Sequence, residues 1–349
     1  MKISSIQEES KQKIQCIVRF VILKVIKMKE IKLDIHLAKS FLDRGELVAI
    51  PTETVYGLAT NAFNKKAVDK IYELKQRPKN NPLIIHCHSL EQIEQYISEI
   101  PKEAYELADQ FWPGPLTILL KKNELIPDYI TAGSDYAAFR IPNHPITLEL
   151  LKQLDYPLVA PSANPSNRIS PTKAIHVYDY FKGAISFILD GGDCEEGIES
   201  TIVHFDENSP KILRPGSITF QQLFYVIPTV TTHQEVKEIP EAPGMSKKHY
   251  SPTSPFLVIE KIEVNTILKY KSEYPKIAII TCKKEELIIK DIDFYSYSEK
   301  GDINQIASNL YDLLISIDSK KYDLILSELA PEVGKGIAIN NRLRRANNI

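Results

Sequence analysis

Pro51-Thr52-Glu53-Thr54-Val55-Tyr56-Gly57-Leu58 follows directly on an apolar run, Leu47 to Ile50, that reads as a buried strand. Pro51 has no N–H to donate and stops the ladder. Small hydroxyls, a carboxylate and a tyrosine then stand where a strand would be covered. A helical segment comes next and leads into Lys75-Gln76-Arg77-Pro78-Lys79-Asn80-Asn81-Pro82-Leu83-Ile84-Ile85-His86. Two cations bracket the helix end, two prolines stiffen the chain, and a second apolar run delivers His86. A strand end, a helix end and another strand end therefore bring polar groups together. Ligand sites in open α/β sheets are built in this way.

The 349-residue chain is 43% hydrophobic and 25% charged, the balance of a soluble globular protein with room for more than one core. A formal net charge of −2 supplies no global field for nucleic acid or a membrane surface. Cys16, Cys87, Cys194 and Cys282 have neither metal nor disulfide spacing, which fits free thiols in a reducing cytosol. His86-Cys87-His88 looks metal-like, but neighbours on a strand face opposite ways and cannot converge on one ion. The basic, apolar segment Cys16 to Ile26 is too short and too interrupted by charge to span a bilayer. No membrane partner is expected, and the expected location is cytoplasmic. Met28 is read as the natural start, with residues 1–27 an extension outside the fold.

Helical spacing covers Asp34 to Arg44, Lys65 to Gln76, Leu90 to Ile97, Lys102 to Phe111, Ile146 to Leu154 and Phe220 to Val226, and Pro171-Thr172 opens another helix. Between them lie apolar strands: Leu116 to Leu120, Ala137 to Ile141, Leu158 to Ala160, Ile185 to Leu189, Glu199 to Val203 and Ile212 to Gly216. Residues 28–228 thus form one α/β domain. Residues 229–255 are polar and punctuated by proline, and read as a linker. Beyond Pro255 only three of the thirteen glycines remain, and strands at Phe256–Ile259, Ile277–Thr281 and Leu324–Leu326 alternate with helical stretches. Residues 256–349 therefore predict a small α/β domain of Rossmann-like character.

Thr54, Arg140, Ser162, Asn164, Ser200 and Arg214 are all placed at the C-terminal ends of apolar strands. Each has a plain structural alternative. Ser162 and Asn164 suit a turn. Ser200 suits a hydroxyl bonded to nearby backbone. Arg140 and Arg214 suit surface ion pairs, and Lys75 and Arg77 suit cations at a helix end. Taken together, so many hydroxyls and cations without a compensating acidic cluster point to an anionic ligand. No Walker A sequence, G-x-G-x-x-G, hydrolase elbow or His-Glu metal motif is present. Phosphate would have to be held by Lys, Arg and hydroxyls.

The blocks Pro51 to Leu58, Lys75-Gln76-Arg77-Pro78 with Asn81-Pro82-Leu83, Trp112-Pro113-Gly114-Pro115-Leu116-Thr117, Ala160-Pro161-Ser162-Ala163-Asn164, Glu199-Ser200-Thr201 and Leu213-Arg214-Pro215-Gly216 resemble the signature blocks of the YrdC-like domain. Ala242-Pro243-Gly244-Met245 with Lys248-His249-Tyr250-Ser251-Pro252 resembles the linker of the long, two-domain threonylcarbamoyl-AMP synthases. The resemblance runs from about Met28 to near the C-terminus. It implies a twisted mixed sheet with helices and a concave active-site cleft, joined to the small C-terminal domain. It also implies a nucleotidyltransferase that makes threonylcarbamoyl-AMP and pyrophosphate from L-threonine, bicarbonate and ATP, for adenosine modification beside the anticodon of tRNA.

Carried over by position, the resemblance implies that Thr54, His86, Arg140, Ser200 and the backbone at Ala160 hold threonine. Arg77, Asn81, Tyr136, Ser162, Ser170, Arg214 and Tyr250 would hold ATP, with Tyr136 standing where the family often has a smaller hydroxyl residue. Lys75 and Arg77 would be the catalytic cations. Mg²⁺ would arrive on the ATP phosphates rather than on protein side chains. The chemistry needs charge neutralisation and alignment, since a carbamate oxygen must approach the α-phosphorus. Glu53 has two open readings, proton removal or Mg²⁺ binding on one side and backbone capping on the other. Lys247-Lys248-His249-Tyr250 reads as a lid that excludes water from the mixed anhydride, against a mere tether. Downstream threonylcarbamoyl-transfer proteins would be partners, with tRNA met indirectly. The competing readings are an RNA-binding YrdC-like module and, more distantly, a carbamoyl-transfer module of hydrogenase maturation. The latter family carries cysteine pairs, and this chain has no C-x-x-C.

Overall fold

The computed structural model describes residues 31–205, 210–232, 249–284 and 289–349. The expectations for Met28, for Ala242 to Met245 and for Lys247 and Lys248 lie outside them. Two sheets organise the described residues. The first has eleven strands: β1 (Ile31–Lys32), β2 (Val48–Ile50), β3 (Gly57–Asn61), β4 (Ile84–His86), β5 (Leu116–Lys121), β6 (Tyr136–Arg140), β7 (Leu158–Val159), β8 (Phe187–Leu189), β9 (Thr201–Phe205), β10 (Pro210–Arg214) and β11 (Thr231–Thr232). Their spatial order is β1-β8-β2-β3-β7-β4-β6-β5-β9-β10-β11, with parallel and antiparallel pairs mixed. The second sheet is wholly parallel: β12 (Phe256–Ile259), β13 (Ile277–Lys283), β14 (Ile292–Ser298) and β15 (Leu324–Glu328), in the order β12-β15-β13-β14. The architecture is the mixed α/β sheet with a small parallel α/β unit that the sequence predicts.

Local chemistry explains the element ends. Asn64 caps the helix Lys65–Lys75 by accepting the Ala67 N–H, and Gln76 closes it in a left-handed conformation. That closure turns the chain so that Lys75 and Arg77 leave the helix in different directions. Thr219 caps Phe220–Val226 in a reciprocal box with Gln222. The predicted helix from Leu90 ends at Glu94 rather than Ile97, and the one opened by Pro171-Thr172 begins at Ala174. Four strands have no counterpart in the sequence reading: the two-residue β1 and β11, and the longer β3 and β14. β3 is made of small and polar residues, and β14 alternates aromatic and polar side chains, so neither shows a continuous apolar run. β11 extends the first sheet by pairing with β10, within the stretch read as linker.

The two units share a core. Val55, Ile169, Ile198 and Tyr250 pack in one cluster with Phe256, Tyr311, Leu314 and Leu343. Ion pairs ring that contact: Lys335 with Glu196 at 2.7 Å, Lys173 with Asp312 at 3.0 Å and Arg168 with Asp318 at 3.1 Å. At Gly197, held at φ +71°, a Cβ would stand 2.4 Å from the Ser308 Cα, so the backbones meet where only glycine fits.

Candidate active site

A cleft of about 580 Å³, counting its open mouth, lies where β2, β3, β4, β6, β7, β9 and β10 converge; its lining includes Thr54, Arg77, His86, Arg140, Ala160, Ser162, Ser200, Arg214 and Tyr250. Register makes this convergence. β4 and β6 run parallel with His86 opposite Arg140, so both side chains arrive side by side. Gly57 bridges Ser162, and the Leu58 N–H donates to the Pro161 carbonyl at 2.7 Å, which ties the start of β3 to the turn after β7. The placement of Ser200 corrects one expectation. It precedes β9 rather than ending a strand, because β9 runs parallel to β5 with Thr201 opposite Leu116.

On one side of the cleft the polar groups have open acceptors or donors. Thr52 Oγ1 donates to the Val55 carbonyl at 2.6 Å, so the 2.9 Å contact between the two hydroxyls has Thr54 donating to Thr52. Thr54 keeps its lone pairs. The Nδ1 of His86 lies 3.2 Å from the Ile84 carbonyl, which can only accept, so Nδ1 carries the proton. Burial, then the neighbouring Arg140, pushes the His86 pKa down to about 3, so the ring is neutral and Nε2 is an acceptor. Arg140 is 4% exposed and its Nη2 lies 2.8 Å from Glu53 Oε1. The angle is poor, and among the described residues Arg140 Nε and Nη2 make no aligned hydrogen bond. This contact is a charge pair with donors to spare.

The other side carries the phosphate candidates. Arg77 donates through Nη2 to Asn81 Oδ1 and the Pro82 carbonyl and through Nε to the Asn81 carbonyl, a local loop clamp. Arg214 donates through Nε and Nη2 to the Ser200 carbonyl, at 3.1 and 2.9 Å, and through Nη2 to Ser200 Oγ at 3.0 Å. Burial lowers both guanidinium pKa values to about 10, and both stay charged at neutral pH. Gly216 permits the close approach of these two segments, since a Cβ there would meet the Thr201 amide at 2.4 Å.

Several expected residues sit behind the lining rather than in it. Lys75 is 1% exposed, and its ammonium donates to the carbonyls of Ser162 and Asn164. Burial, then Arg77, holds its pKa well below the ordinary lysine value. It props the turn that presents Ser162. Asn164 holds the same turn through its Nδ2, which donates to the Pro165 and Arg168 carbonyls, at 3.0 and 2.8 Å. Ser170 Oγ donates to Glu199 Oε1 at 2.7 Å. Tyr136, at the far end of β6 from Arg140, packs edge-on against His204 with ring centres 4.6 Å apart. Of the strip read as a lid, His249 and Tyr250 are both buried and line the cleft, with rings 4.0 Å apart.

Two further expectations need correction. Arg140 and Arg214 are buried, so the surface ion-pair alternative does not hold. The cations also have acidic company, because Glu53 and Glu199 are buried among them. Glu199 accepts from Tyr311 at 2.9 Å and from Arg342 Nε at 2.9 Å. Burial alone would raise its pKa, but Arg342 and then Arg214 outweigh that and hold it at about 2. Sequence reasoning passed over Glu199, Tyr311 and Arg342. One signal was available: Arg342 falls at helical spacing with Ile339 and Ala346, which puts an arginine on a buried face.

Comparison with known proteins finds relatives along most of the chain. Residues 40–216 match the family model described as telomere recombination, of the Sua5, YciO and YrdC proteins, and residues 218–348 match that described as threonylcarbamoyl-AMP synthase, C-terminal domain. The threonylcarbamoyl-AMP synthase of Pyrococcus abyssi is 43% identical over 325 residues, covering 89% of this chain and 93% of its own. That of Bacillus subtilis is 39% identical over 317 residues, covering 88% and 91%. The crystal structure of P. abyssi Sua5 complexed with L-threonine superposes with a TM-score of 0.84 at 40% identity, covering 90% of this chain and 94% of that one.

Proposed function

The chain belongs to the two-domain Sua5 family of threonylcarbamoyl-AMP synthases, and on that premise we propose that it condenses L-threonine, bicarbonate and ATP into threonylcarbamoyl-AMP, releasing pyrophosphate. The observation that carries the reading is the two-sided cleft, with open donors and acceptors around Arg140 on one side and buried guanidinium groups on the other. Arg140, whose Nε makes no hydrogen bond and whose Nη2 is held by Glu53 only as a charge pair, takes the threonine carboxylate. The Thr54 hydroxyl and His86 Nε2 accept from the substrate ammonium or hydroxyl, and Ser200 and the Ala160 backbone close that pocket. Arg77, Ser162, Arg214 and Tyr250 form the nucleotide side, with Asn81 and Ser170 supporting it from behind the lining; Tyr136, at the far end of β6, does not line it.

The chemistry follows from the charges. The threonine amine combines with bicarbonate, losing water, to give a carbamate. A carbamate oxygen attacks the α-phosphorus, and the bond to pyrophosphate breaks. Repulsion between the two anions is the main obstacle, and fixed cations in a dry cleft reduce it without reorganising. Arg77 and Arg214 supply that charge directly; Lys75 contributes by holding the Ser162 turn in place. No cluster of three metal-ligating side chains occurs among the described residues. We expect a Mg²⁺ ion on the ATP phosphates, because the triphosphate itself offers the oxygen ligands and the ion would neutralise its charge. Among the described residues no helix is long and apolar enough to cross a membrane. We place the enzyme in the cytoplasm, handing its product to tRNA-modifying transfer proteins.

Pyrophosphate release that requires both threonine and bicarbonate is the expected result in a purified system. Release at the same rate without threonine would contradict the reading.

A further inference from the structure

Arg342 lies on the helix Lys335–Ala346 of the second unit, yet its guanidinium ends inside the first. It is 1% exposed. Its Nε donates to Glu199 Oε2 at 2.9 Å, and its Nη1 donates to the Pro215 carbonyl at 2.5 Å. Its guanidinium carbon lies 5.6 Å from the centre of the Tyr250 ring, within cation–π range. Every one of these partners touches the nucleotide side of the cleft. Glu199 accepts from Ser170 and lines the cleft beside Arg214, Pro215 follows Arg214, and Tyr250 lines the cleft itself. A planar fork fixes the directions of its two donors while its face lies over a ring, which an ammonium, a compact charge with freely rotating donors, does not.

We propose that Arg342 is a positioning residue for the synthesis, through which the second unit sets the nucleotide side of the cleft. Without it, Glu199 remains as a buried carboxylate next to Arg214. An uncompensated charge there turns to the nearest cation. Arg214 would be drawn away from the phosphates, and Tyr250 would lose its cationic partner. Of the threonine side only Ser200 adjoins this network, as the residue after Glu199; Thr54, His86 and Arg140 make no hydrogen bond or ion pair with Arg342. This inference rests on the synthase reading and deepens it.

The test is steady-state pyrophosphate release by the full chain, with ATP and threonine varied separately. Arg342→Ala is expected to raise the KM for ATP about tenfold while the KM for threonine changes less than about threefold. Arg342→Ala combined with Glu199→Gln removes the stray charge and is expected to recover part of the ATP affinity. Lys335→Ala breaks another ion pair between the units, with Glu196, neither partner of which lines the cleft, and should behave as wild type. Should Arg342→Ala fail to fold by circular dichroism, Arg342→Lys, which keeps the charge but not the fork, decides by the same split. A uniform loss of maximal rate with both KM values unchanged, or an equal rise in both, would overturn the proposal. If the wild-type chain itself releases no threonine-dependent pyrophosphate, the synthase reading fails. Calorimetry with a non-hydrolysable ATP analogue then decides about Arg342 alone: about tenfold weaker binding by Arg342→Ala supports it, and equal binding overturns it.

Discussion

At Lys75 the ammonium donates to the Ser162 and Asn164 carbonyls. Lys75→Ala therefore leaves the buried Asn164 carbonyl without its donor and the Ser162 carbonyl with the Asn164 N–H alone, at about 1–3 kcal/mol for the unpaired group. Thermal unfolding should show a clear loss of stability along with the loss of synthesis; an unchanged Tm would contradict the propping role. Arg140 and Glu53 form a close pair of buried charges, so Arg140→Ala alone strands a carboxylate at a cost of about 3–5 kcal/mol. The variant Arg140→Ala with Glu53→Gln should regain most of the Tm while the KM for threonine stays at least about tenfold raised. Threonine use restored by the second substitution would remove Arg140 from the carboxylate site. Stability should also depend on pH through His86 and His249, whose folded pKa values are both depressed to about 3, by burial first. Depressed values mean that the unfolded chain binds more protons. Their contribution is whole above about pH 6.5 and is lost as the pH falls toward 3, at about 2 kcal/mol for each ring by pH 5. The Tm should fall between pH 7.5 and 5, and the fall should be shallower in His86→Asn. A flat profile would mean that these rings are not buried neutral. At this scale the sequence was informative where a residue's neighbours along the chain define it, as at Thr54 or Arg214. It was silent on Glu199, because Tyr311 and Arg342 lie more than a hundred residues away and no local period records a charge pair.

Among the elements, parallel pairing of β4 with β6 aligns His86 with Arg140, and the β9–β10 pair brings Ser200 to Arg214. Apolar runs in the sequence revealed most of these strands, because strands buried on both faces read as continuous hydrophobic stretches. β3 and β14 escaped that signal because their burial rests on small or alternating residues. The register between strands was not legible either; it is a property of pairs. Gly197 marks the contact of the loop before β9 with the helix Ile303–Asp318. Gly197→Ala adds both a φ penalty and a clash with backbone, while Gly192→Ala, at φ +86° with open space around it, adds only the first. Calorimetric or fluorescence melting should show a larger Tm loss for Gly197→Ala. Equal losses would mean that the close approach at Ser308 contributes nothing.

For the molecule as a whole, the sequence distinguished two α/β units and the stretch between them, and it located the cleft in the first. What it did not convey is how far the second unit enters that cleft. Val55, from the signature stretch itself, packs into a core with Tyr311 and Leu343, and His249 and Tyr250 line the cleft from the segment that leads into β12. Composition shifts mark a boundary between units well but carry no information on the surface they share. The second unit is thus part of the active site's framework rather than an appendage. The central claim is that this framework joins a carbamate of threonine to the α-phosphate of ATP. Mass spectrometry of the full chain incubated with threonine, bicarbonate, ATP and Mg²⁺ tests it most directly. Threonylcarbamoyl-AMP should accumulate, and should disappear when threonine or bicarbonate is left out. ATP consumed with no such adduct, under conditions where added product is stable, would contradict the account.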